Sequence, residues 1–256
     1  MIIRFLYIII LFNFSFTNVT ADTLALNPKS NEEFIYKTKF RSLKVGQTII
    51  SIINNNKQHD NSTIITIEAS SNRFIDIIYK LRHFSTIIVN TTDFALNAIT
   101  QKLQQGDYID SYNATVDYTQ NKIYYYNTKK NPSNKKQDSK VIKIEDKVYD
   151  PFSIVYHLRN MDLDIGNKYI FSSYSKKKIR DISLSIISTE YIKTPYLNGM
   201  CYVVVPNSKN QKYLLKNKGE MKIWYTVESP HIPLKIEQKM KHGIMELVLF
   251  DYVIKK

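Results

Sequence analysis

Histidine, cysteine and serine are the residues of this chain whose spacing could indicate catalysis or metal binding. The sequence contains five histidines and one cysteine, at His59, His83, His157, His231, His242 and Cys201. None of them forms the HxH, HExxH or CxxC spacing that zinc sites use. The motifs GxSxG, GxGxxG and GxxxxGK[ST] do not occur, and six glycines leave little material for phosphate-binding loops. The sequence therefore predicts no metal and no cofactor.

Ser153 and His157 stand four residues apart on a predicted helix, a spacing that could form a catalytic dyad. No carboxylate and no oxyanion hole can be named to complete such a site. We therefore expect both side chains to pack. Cys201 lies in the apolar run Met200–Val205, which predicts a small buried thiol.

Tyrosine is abundant, with a run at Tyr124–Tyr126 beside Lys122 and further tyrosines at Tyr112 and Tyr118. Such a group could form a stacking platform for bases or sugars. Tyrosines on strands also form cross-strand pairs whose hydroxyls reach solvent. We favour packing.

Arg159 is a charged residue on a helix that is otherwise largely apolar. Asp150 suits the N-cap of this helix and Pro151 its first position. A buried guanidinium must be paired. Arg159 therefore either pairs with a structural partner, such as Asp150 or a strand carboxylate, or recognises an anion at the mouth of a cavity. The ligand or structural candidates are Asp150, Tyr156, Arg159 and, in a predicted strand, Trp224.

The formal net charge of +13 raises the question of nucleic-acid binding. Thirty of the basic residues are lysines and only six are arginines. Arginine is the preferred residue for bidentate contacts to phosphate or guanine. We therefore predict a solvated, lysine-rich surface and no nucleic-acid partner. An attraction to anionic surfaces of the envelope is the alternative interpretation of this charge.

The N-terminus has the pattern of a cleavable secretory signal peptide over residues 1–21. Arg4 precedes the apolar run Phe5–Phe12, and cleavage is expected between Ala21 and Asp22. The run is shorter than the roughly 20 apolar residues of a spanning helix. The sequence therefore predicts an exported protein, periplasmic or secreted, whose mature chain 22–256 is one β-rich domain without a membrane span.

Alternation of apolar and polar residues is the dominant pattern of the mature chain, and it predicts antiparallel strands. The predicted strands lie near 34–40, 46–53, 62–69, 74–84, 107–118, 122–127, 141–149, 168–175, 182–187, 200–205, 221–227, 234–240 and 244–253. The segment Phe94–Leu103 fits a helix or a strand, and we favour a strand. Turns are predicted at 105–107, 197–199, 217–219 and 241–243.

The tract 127–140 has no apolar side chain to bury and is predicted to be a mobile polar loop inside a hairpin. With so many strands, the sheet must curl, close or stack to bury its apolar face. The predicted fold is all-β: an antiparallel, strongly curved sheet or incomplete β-barrel, with one short buried helix at about 150–160.

In three blocks, Tyr149–Arg159, Phe34–Thr48 and Gly219–Gly243, the sequence resembles the bacterial exported family of domains of unknown function DUF3108. The first is Tyr149–Arg159, which is similar to its D-P-[LF]-S-x-x-Y-x-[LF]-R signature. The second is Phe34–Thr48, similar to the opening strand and turn. The third is Gly219–Gly243, similar to the closing hairpin around the tryptophan. The segment Val227–His231 departs from the acidic and arginine residues that the family commonly has there.

The resemblance implies an exported β protein of the bacterial envelope and supplies no catalytic residues. Our leading hypothesis is a non-catalytic protein whose concave face binds an apolar or amphiphilic ligand, such as a lipid, or docks an envelope protein. The alternative is a hydrolase that acts on an envelope component. An enzyme would need a nucleophile, a base and an orienting group in one cleft.

Overall fold

The structure is a computed structural model, and it describes residues 31–55, 61–131, 134–207 and 220–255. The predicted signal peptide, with its cleavage site at Ala21 and Asp22, and the predicted turn at 217–219 lie outside these residues.

Fourteen strands and two short helices make up the described chain. The strands are β1 Asn31–Phe40, β2 Leu43–Asn55, β3 Ser62–Ser71, β4 Leu81–Asn90, β5 Leu96–Gln105, β6 Tyr108–Asp117, β7 Lys122–Asn131, β8 Asn134–Lys143, β9 Lys168–Ser175, β10 Lys178–Lys193, β11 Asn198–Asn207, β12 Met221–Thr226, β13 Pro233–Met240 and β14 Gly243–Lys255. The helices are α1, Arg73–Ile78, and α2, Pro151–His157, which continues as a 3₁₀ turn over Leu158–Asn160.

All strands belong to one antiparallel sheet in the order β8-β7-β6-β5-β4-β3-β2-β1-β14-β13-β12-β11-β10-β9. Strands that are consecutive in sequence pair with each other, except β8 and β9. In addition, β1 pairs with β14, where Phe34 lies opposite Tyr252. The two edges of the sheet are therefore β8 and β9, which are consecutive along the chain and joined by the segment that contains α2.

The alternating residues predicted from the sequence set the inner face of this sheet. On β1 to β4, Phe34, Ile50, Ile65 and Ile87 are fully buried while the intervening side chains are more exposed. β-branched and aromatic side chains pack well on a pleated surface that is buried on one face. The sheet curls around these residues and does not close into a barrel, which confirms the predicted class of a curved sheet or incomplete barrel.

The chain between the two edges of the sheet carries α2 into the interior. Asp150 caps the helix by accepting a 2.8 Å hydrogen bond from the Phe152 amide, and Pro151 occupies the first turn. Every side chain from Ser153 to Arg159 is buried. The Tyr225 hydroxyl on β12 donates to the Val155 carbonyl at 2.8 Å. A short buried helix at 150–160 is therefore confirmed.

The edges of the sheet overlap instead of meeting. Phe171 on β9 faces α2, where its ring centroid lies 5.7 Å from that of His157. Tyr174 is three residues further along β9, so it lies on the opposite face of the strand. There it is 1% exposed and has Tyr112 of β6 and Tyr125 of β7 as neighbours. The β9–β10 pair therefore lies on the concave side of β6 and β7, so the two ends of the sheet overlap.

Two sequence predictions are wrong in part. The predicted strand 74–84 begins only at Leu81, because the Asn72 side chain accepts from the amides of Phe74 and Ile75 and starts α1. Most of the predicted loop 127–140 is strand: Asn127 to Asn131 continue β7 and Asn134 to Lys140 belong to β8. Backbone pairing needs no apolar side chain, and polar, lysine-rich residues suit an edge strand.

The other segments agree more closely with the sequence. Phe94–Leu103 is mainly strand, as favoured, with β5 beginning at Leu96. The predicted strand 141–149 ends at Lys143, and Tyr149 forms an isolated bridge to Ser173. Among the described residues, the longest helices fall well short of the length and apolar character that a membrane crossing requires.

Candidate functional site

Arg159 pairs with Glu32, a strand carboxylate on β1. Its two terminal nitrogens donate to the two carboxylate oxygens at 2.7 and 2.9 Å, and its Nε donates to the Pro230 carbonyl at 3.1 Å. The Tyr252 hydroxyl donates to the same carboxylate, and the guanidinium lies 5.1 Å from the centroid of the Phe34 ring. Burial would raise the pKa of Glu32, but the hydrogen bonds and the charge of Arg159 lower it. The guanidinium is thus engaged on all sides by protein groups.

Tyr156 lies one turn before Arg159 and also faces β1. Its hydroxyl is 3.5 Å from that of Tyr36, which donates to the Pro233 carbonyl at 2.9 Å. Its ring centroid is 5.1 Å from that of Phe34. Burial raises the pKa of Tyr156 well above its usual value. Tyr156 and Arg159 therefore form one contact surface between α2 and β1.

Asp150 and Trp224 occupy other places. Asp150 is buried at the N-cap of α2, and burial raises its pKa to about 7 against the stabilising amides of Phe152 and Ser153. The Trp224 indole on β12 donates to Glu190 at 2.9 Å, and the Lys235 ammonium lies 4.9 Å from its ring centroid. The four predicted site residues therefore do not form one cluster.

Ser153 and His157 do not form a dyad. The Ser153 hydroxyl donates to the Asp150 carbonyl at 2.9 Å, and His157 lies among the rings of Phe94, Tyr149 and Phe171. Burial lowers the pKa of His157 to about 4, against the attraction of Asp93. Burial also raises the pKa of the Cys201 thiol to about 12. Neither side chain is poised as a base or a nucleophile near neutral pH.

The tyrosines that could have formed a stacking platform are divided between the two faces of the sheet. Tyr125 faces inward beside Tyr112, with ring centroids 5.7 Å apart, while Tyr124 and Tyr126 are exposed. The Tyr118 hydroxyl donates to the Leu96 carbonyl at 2.9 Å. These tyrosines therefore do not present one continuous face to a ligand.

A second set of polar side chains comes together where the sheet overlaps. His83, Gln101, Asp110 and Asn127 lie on β4, β5, β6 and β7, and all are buried. Asn127 donates to Asp110 at 2.5 Å, and Gln101 and His83 are hydrogen-bonded to each other. From the turn between β9 and β10, the Lys176 ammonium donates to the other oxygen of Asp110 at 2.9 Å. We use the name overlap layer for these residues together with Tyr112 and Tyr125 and with Tyr174 and Ser183, which lie along one buried face of the β9–β10 pair.

Two hydroxyls in the overlap layer have no hydrogen-bond partner among the described residues. They are the Tyr174 Oη and the Ser183 Oγ, and both are fully shielded from solvent. Their residues share one face of the β9–β10 pair, because Tyr174 lies opposite Ile179 and Ile170 lies opposite Ser183. A buried hydroxyl without a partner is uncommon and costs free energy unless water or a ligand supplies one.

Asp150, the N-cap residue of α2, acts electrostatically on the overlap layer. Burial raises the pKa of Tyr112 well above its usual value, and repulsion from Asp150 and Asp110 adds to this effect. Burial and, to a smaller extent, the Lys176 ammonium lower the pKa of His83 to about 4. The layer therefore contains a neutral imidazole and a neutral phenol close to a lysine–carboxylate pair, a set suited to hydrogen bonding.

Sequence reasoning missed the overlap layer. The sequence did contain one signal for this layer. Polar residues such as His83 and Asp110 occupy strand positions whose alternation places them on the inner face. The part played by Lys176 and Tyr174 depends on how far the sheet rolls, which the sequence pattern does not specify. Within the described ranges, no three His, Cys, Asp or Glu side chains come together as a metal site.

The comparisons with known proteins agree with this architecture. A crystal structure of a β-barrel-like protein of the domain of unknown function DUF1849 from Brucella abortus matches with a TM-score of 0.57. The two chains are 7% identical, and the match covers 89% of this chain and 98% of the other, so the likeness concerns the fold. No curated protein matches. The model of the family described as protein of unknown function DUF3108 matches residues 35–249, the family that the three sequence blocks resemble. The chain belongs to the DUF3108 family.

Proposed function

We propose that this chain is an exported, non-catalytic binding protein of the bacterial envelope, and that the overlap layer holds the polar head of an amphiphilic ligand. The observation that carries the proposal is the pair of buried hydroxyls, Tyr174 Oη and Ser183 Oγ, that lack a partner among the described residues. Both can donate a hydrogen bond, so the ligand would supply acceptor oxygens.

The surroundings of these hydroxyls support an amphiphile. The rings of Tyr112 and Tyr125 provide apolar contact area. The Lys176 side chain, which is 36% exposed, provides a cation at the rim. Between the edges β8 and β9 the sheet is not closed by strand pairing, so a ligand can enter there without breaking the sheet. The signal-peptide pattern of residues 1–21 supports this location, because it predicts an exported protein, periplasmic or secreted.

The competing hypotheses have less support. A hydrolase would need an activated nucleophile, but Ser153 is hydrogen-bonded to a backbone carbonyl and burial raises the pKa of the Cys201 thiol to about 12. Arg159, the sequence-based candidate for anion recognition, is instead satisfied by Glu32 and Pro230. We therefore assign Arg159 and Tyr156 a structural role and place ligand binding in the overlap layer.

Native mass spectrometry of the protein purified from its own envelope tests the proposal. We expect a retained amphiphile in the wild type. Tyr174→Phe with Ser183→Ala should lose it, because the two donors are gone. These substitutions should leave the apo protein as stable or slightly more stable, since each removes a buried group without a partner.

Tyr225→Phe is the matched control. Its hydroxyl is also buried, but it donates to the Val155 carbonyl. Loss of that bond should cost about 1 kcal/mol of unfolding free energy and leave ligand retention unchanged. Retention by the Tyr174→Phe, Ser183→Ala variant, or absence of any ligand in the wild type, would contradict the proposal. Turnover of an envelope component by the purified protein would favour the hydrolase.

A further inference from the structure

Helix α1 presents an apolar face to solvent. Phe74, Ile77 and Ile78 are 79%, 81% and 76% exposed, and their spacing places them on one face of the helix. Leu43 at the start of β2 is 71% exposed. No residue of α1 is buried, so these side chains add nothing to the core of the protein. Clustered exposed apolar groups of this size mark interaction surfaces.

The helix is held in place by its polar residues. Asp76 pairs with Arg82 of β4 and accepts from the Ser71 hydroxyl. The Asn72 side chain caps α1 and also donates to the Lys44 carbonyl at 2.7 Å. These contacts fix α1 beside the start of β2. Its outward apolar face is therefore a defined feature of the fold.

Basic residues surround this apolar face. Arg41, Lys44, Arg73 and Lys80 are all exposed and lie in the turn before β2, at its start, and at the two ends of α1. Within α1 the only acid is Asp76, which is engaged by Arg82. Exposed Asp107 follows Gly106, whose amide donates to the Lys80 carbonyl. The charge next to the apolar side chains is still positive on balance, which favours an anionic partner.

We propose that α1 and the start of β2 form a docking surface for an anionic lipid bilayer. Phe74, Ile77, Ile78 and Leu43 enter the boundary between head groups and acyl chains, and the four basic residues contact the lipid phosphates. An apolar face flanked by lysine and arginine is the pattern of interfacial membrane binding. A second copy of this chain is disfavoured as the occupant, because it would bring two basic rims together. This surface goes beyond the proposed ligand site and uses none of its residues.

Co-sedimentation with vesicles tests this proposal. The chain beginning at Asp22 keeps every described element and omits the apolar run 5–12, which would itself enter lipid. We expect binding to vesicles of phosphatidylcholine mixed with phosphatidylglycerol, and much weaker binding to phosphatidylcholine alone. Added salt should weaken the binding, since the head-group contacts are electrostatic.

Two sets of variants separate the apolar and charged contributions. Phe74→Ser, Ile77→Ser and Ile78→Ser together should lower the partition coefficient at least about tenfold. Glutamine at Arg41, Lys44, Arg73 and Lys80 should remove the preference for anionic vesicles, at about fivefold per charge. The matched control is serine at Ile165, Ile187 and Ile254, which are 59%, 50% and 56% exposed and lie away from α1. That variant should bind like the wild type.

A fluorescent label gives a readout that does not depend on these variants. Cys201 is fully buried and unreactive, so Ile77→Cys can be labelled selectively with an environment-sensitive dye. Its emission should shift to the blue on anionic vesicles. Unchanged binding by the triple serine variant, or no shift of the dye, would overturn the proposal. So would self-association that the serine variant abolishes without vesicle binding. Tyr174→Phe with Ser183→Ala should bind vesicles normally, which keeps this test separate from the interior site.

Discussion

Two parallel hydrogen bonds of 2.7 and 2.9 Å join the Arg159 guanidinium to the Glu32 carboxylate, and both side chains are less than a tenth exposed. This ion pair connects the segment after α2 to β1. It thereby links the middle of the chain to the first and last strands, since Tyr252 of β14 also bonds Glu32. Its energetic value depends on both partners being present, because either charge alone would be buried without compensation.

Arg159→Ala should lower the free energy of unfolding by roughly 3–5 kcal/mol, because it leaves the Glu32 carboxylate buried and unpaired. Arg159→Lys should restore only part of this loss, since an ammonium cannot make the bidentate contact. Urea unfolding of both variants measures the effect. Arg73→Ala is the control, because Arg73 is exposed and its loss should matter little. An Arg159→Ala variant that unfolds like the wild type would contradict the structural role.

Asp150→Asn should make the protein relatively more stable as the pH rises from 4 to 8. Burial raises the pKa of Asp150 to about 7, so the folded state holds a proton that the unfolded state releases above about 4. Asp150 therefore reduces stability progressively between these values and keeps its full penalty above pH 7. Asparagine can still cap α2, and it removes this penalty.

The stability difference between Asp150→Asn and the wild type, measured by denaturant unfolding at several pH values, should grow by a few kcal/mol, at about 1.4 kcal/mol per pKa unit. Using the difference cancels the contributions of other titrating groups. A difference that does not change with pH would show that Asp150 is ionised normally in the folded protein.

His157→Phe should protect the protein against acid. Burial lowers the pKa of His157 to about 4, so between about 4 and 6.5 the unfolded state binds a proton that the folded state excludes. The wild type therefore loses stability as the pH falls through this window, and phenylalanine removes the loss. The His157 Nδ1 has no partner among the described residues, so the substitution breaks no hydrogen bond there. Thermal unfolding at pH 4.5 and pH 7 checks this, and an equal effect at both values would contradict it.

The edge strand β8 should depend on its lysines for solubility. Nearly all its side chains are exposed, and Lys135, Lys136 and Lys140 are among them. Charged residues on an edge strand prevent pairing with other molecules. Threonine at these three positions should change the free energy of unfolding by less than about 1 kcal/mol. It should increase the self-association of the protein, which light scattering detects. The same change at Lys102, Lys239 and Lys241, which lie away from the edges of the sheet, is the control for lost charge. Equal association of both variants would contradict the prediction.

The period-two pattern was sufficient to predict most strands, because a half-buried sheet selects side chains with that period. It failed at Phe74–Ile78, where a run of apolar residues on an exposed helix resembles a strand; the signal available was Asn72 as an N-cap. It also failed at 127–140, because an edge strand held by backbone pairing leaves no apolar signature. Both exceptions lie on the surface, where burial does not constrain residue type.

For the candidate site, sequence reasoning found Arg159 and stated that a strand carboxylate could pair with it. It could not choose Glu32, which is 127 residues away along the chain. The overlap layer was not predictable for the same reason. Lys176 and Asp110 come within 2.9 Å of each other only because the two ends of the sheet overlap, and that depends on the total curvature of the sheet.

The pairing of β1 with β14 has a consequence for how the protein is made. This pairing, in which Phe34 lies opposite Tyr252, joins the first and last strands, whereas every other strand pair joins strands that are consecutive in the sequence. During synthesis, β1 to β8 can form a local meander, but the outer edge of β1 stays unpaired until the last strand emerges from the ribosome. Closing this one distant contact is slow relative to local hairpins, because the intervening chain must be ordered first. Until then Glu32 also lacks the contact from Tyr252, and the nascent first half presents an open strand edge to chaperones and to other copies.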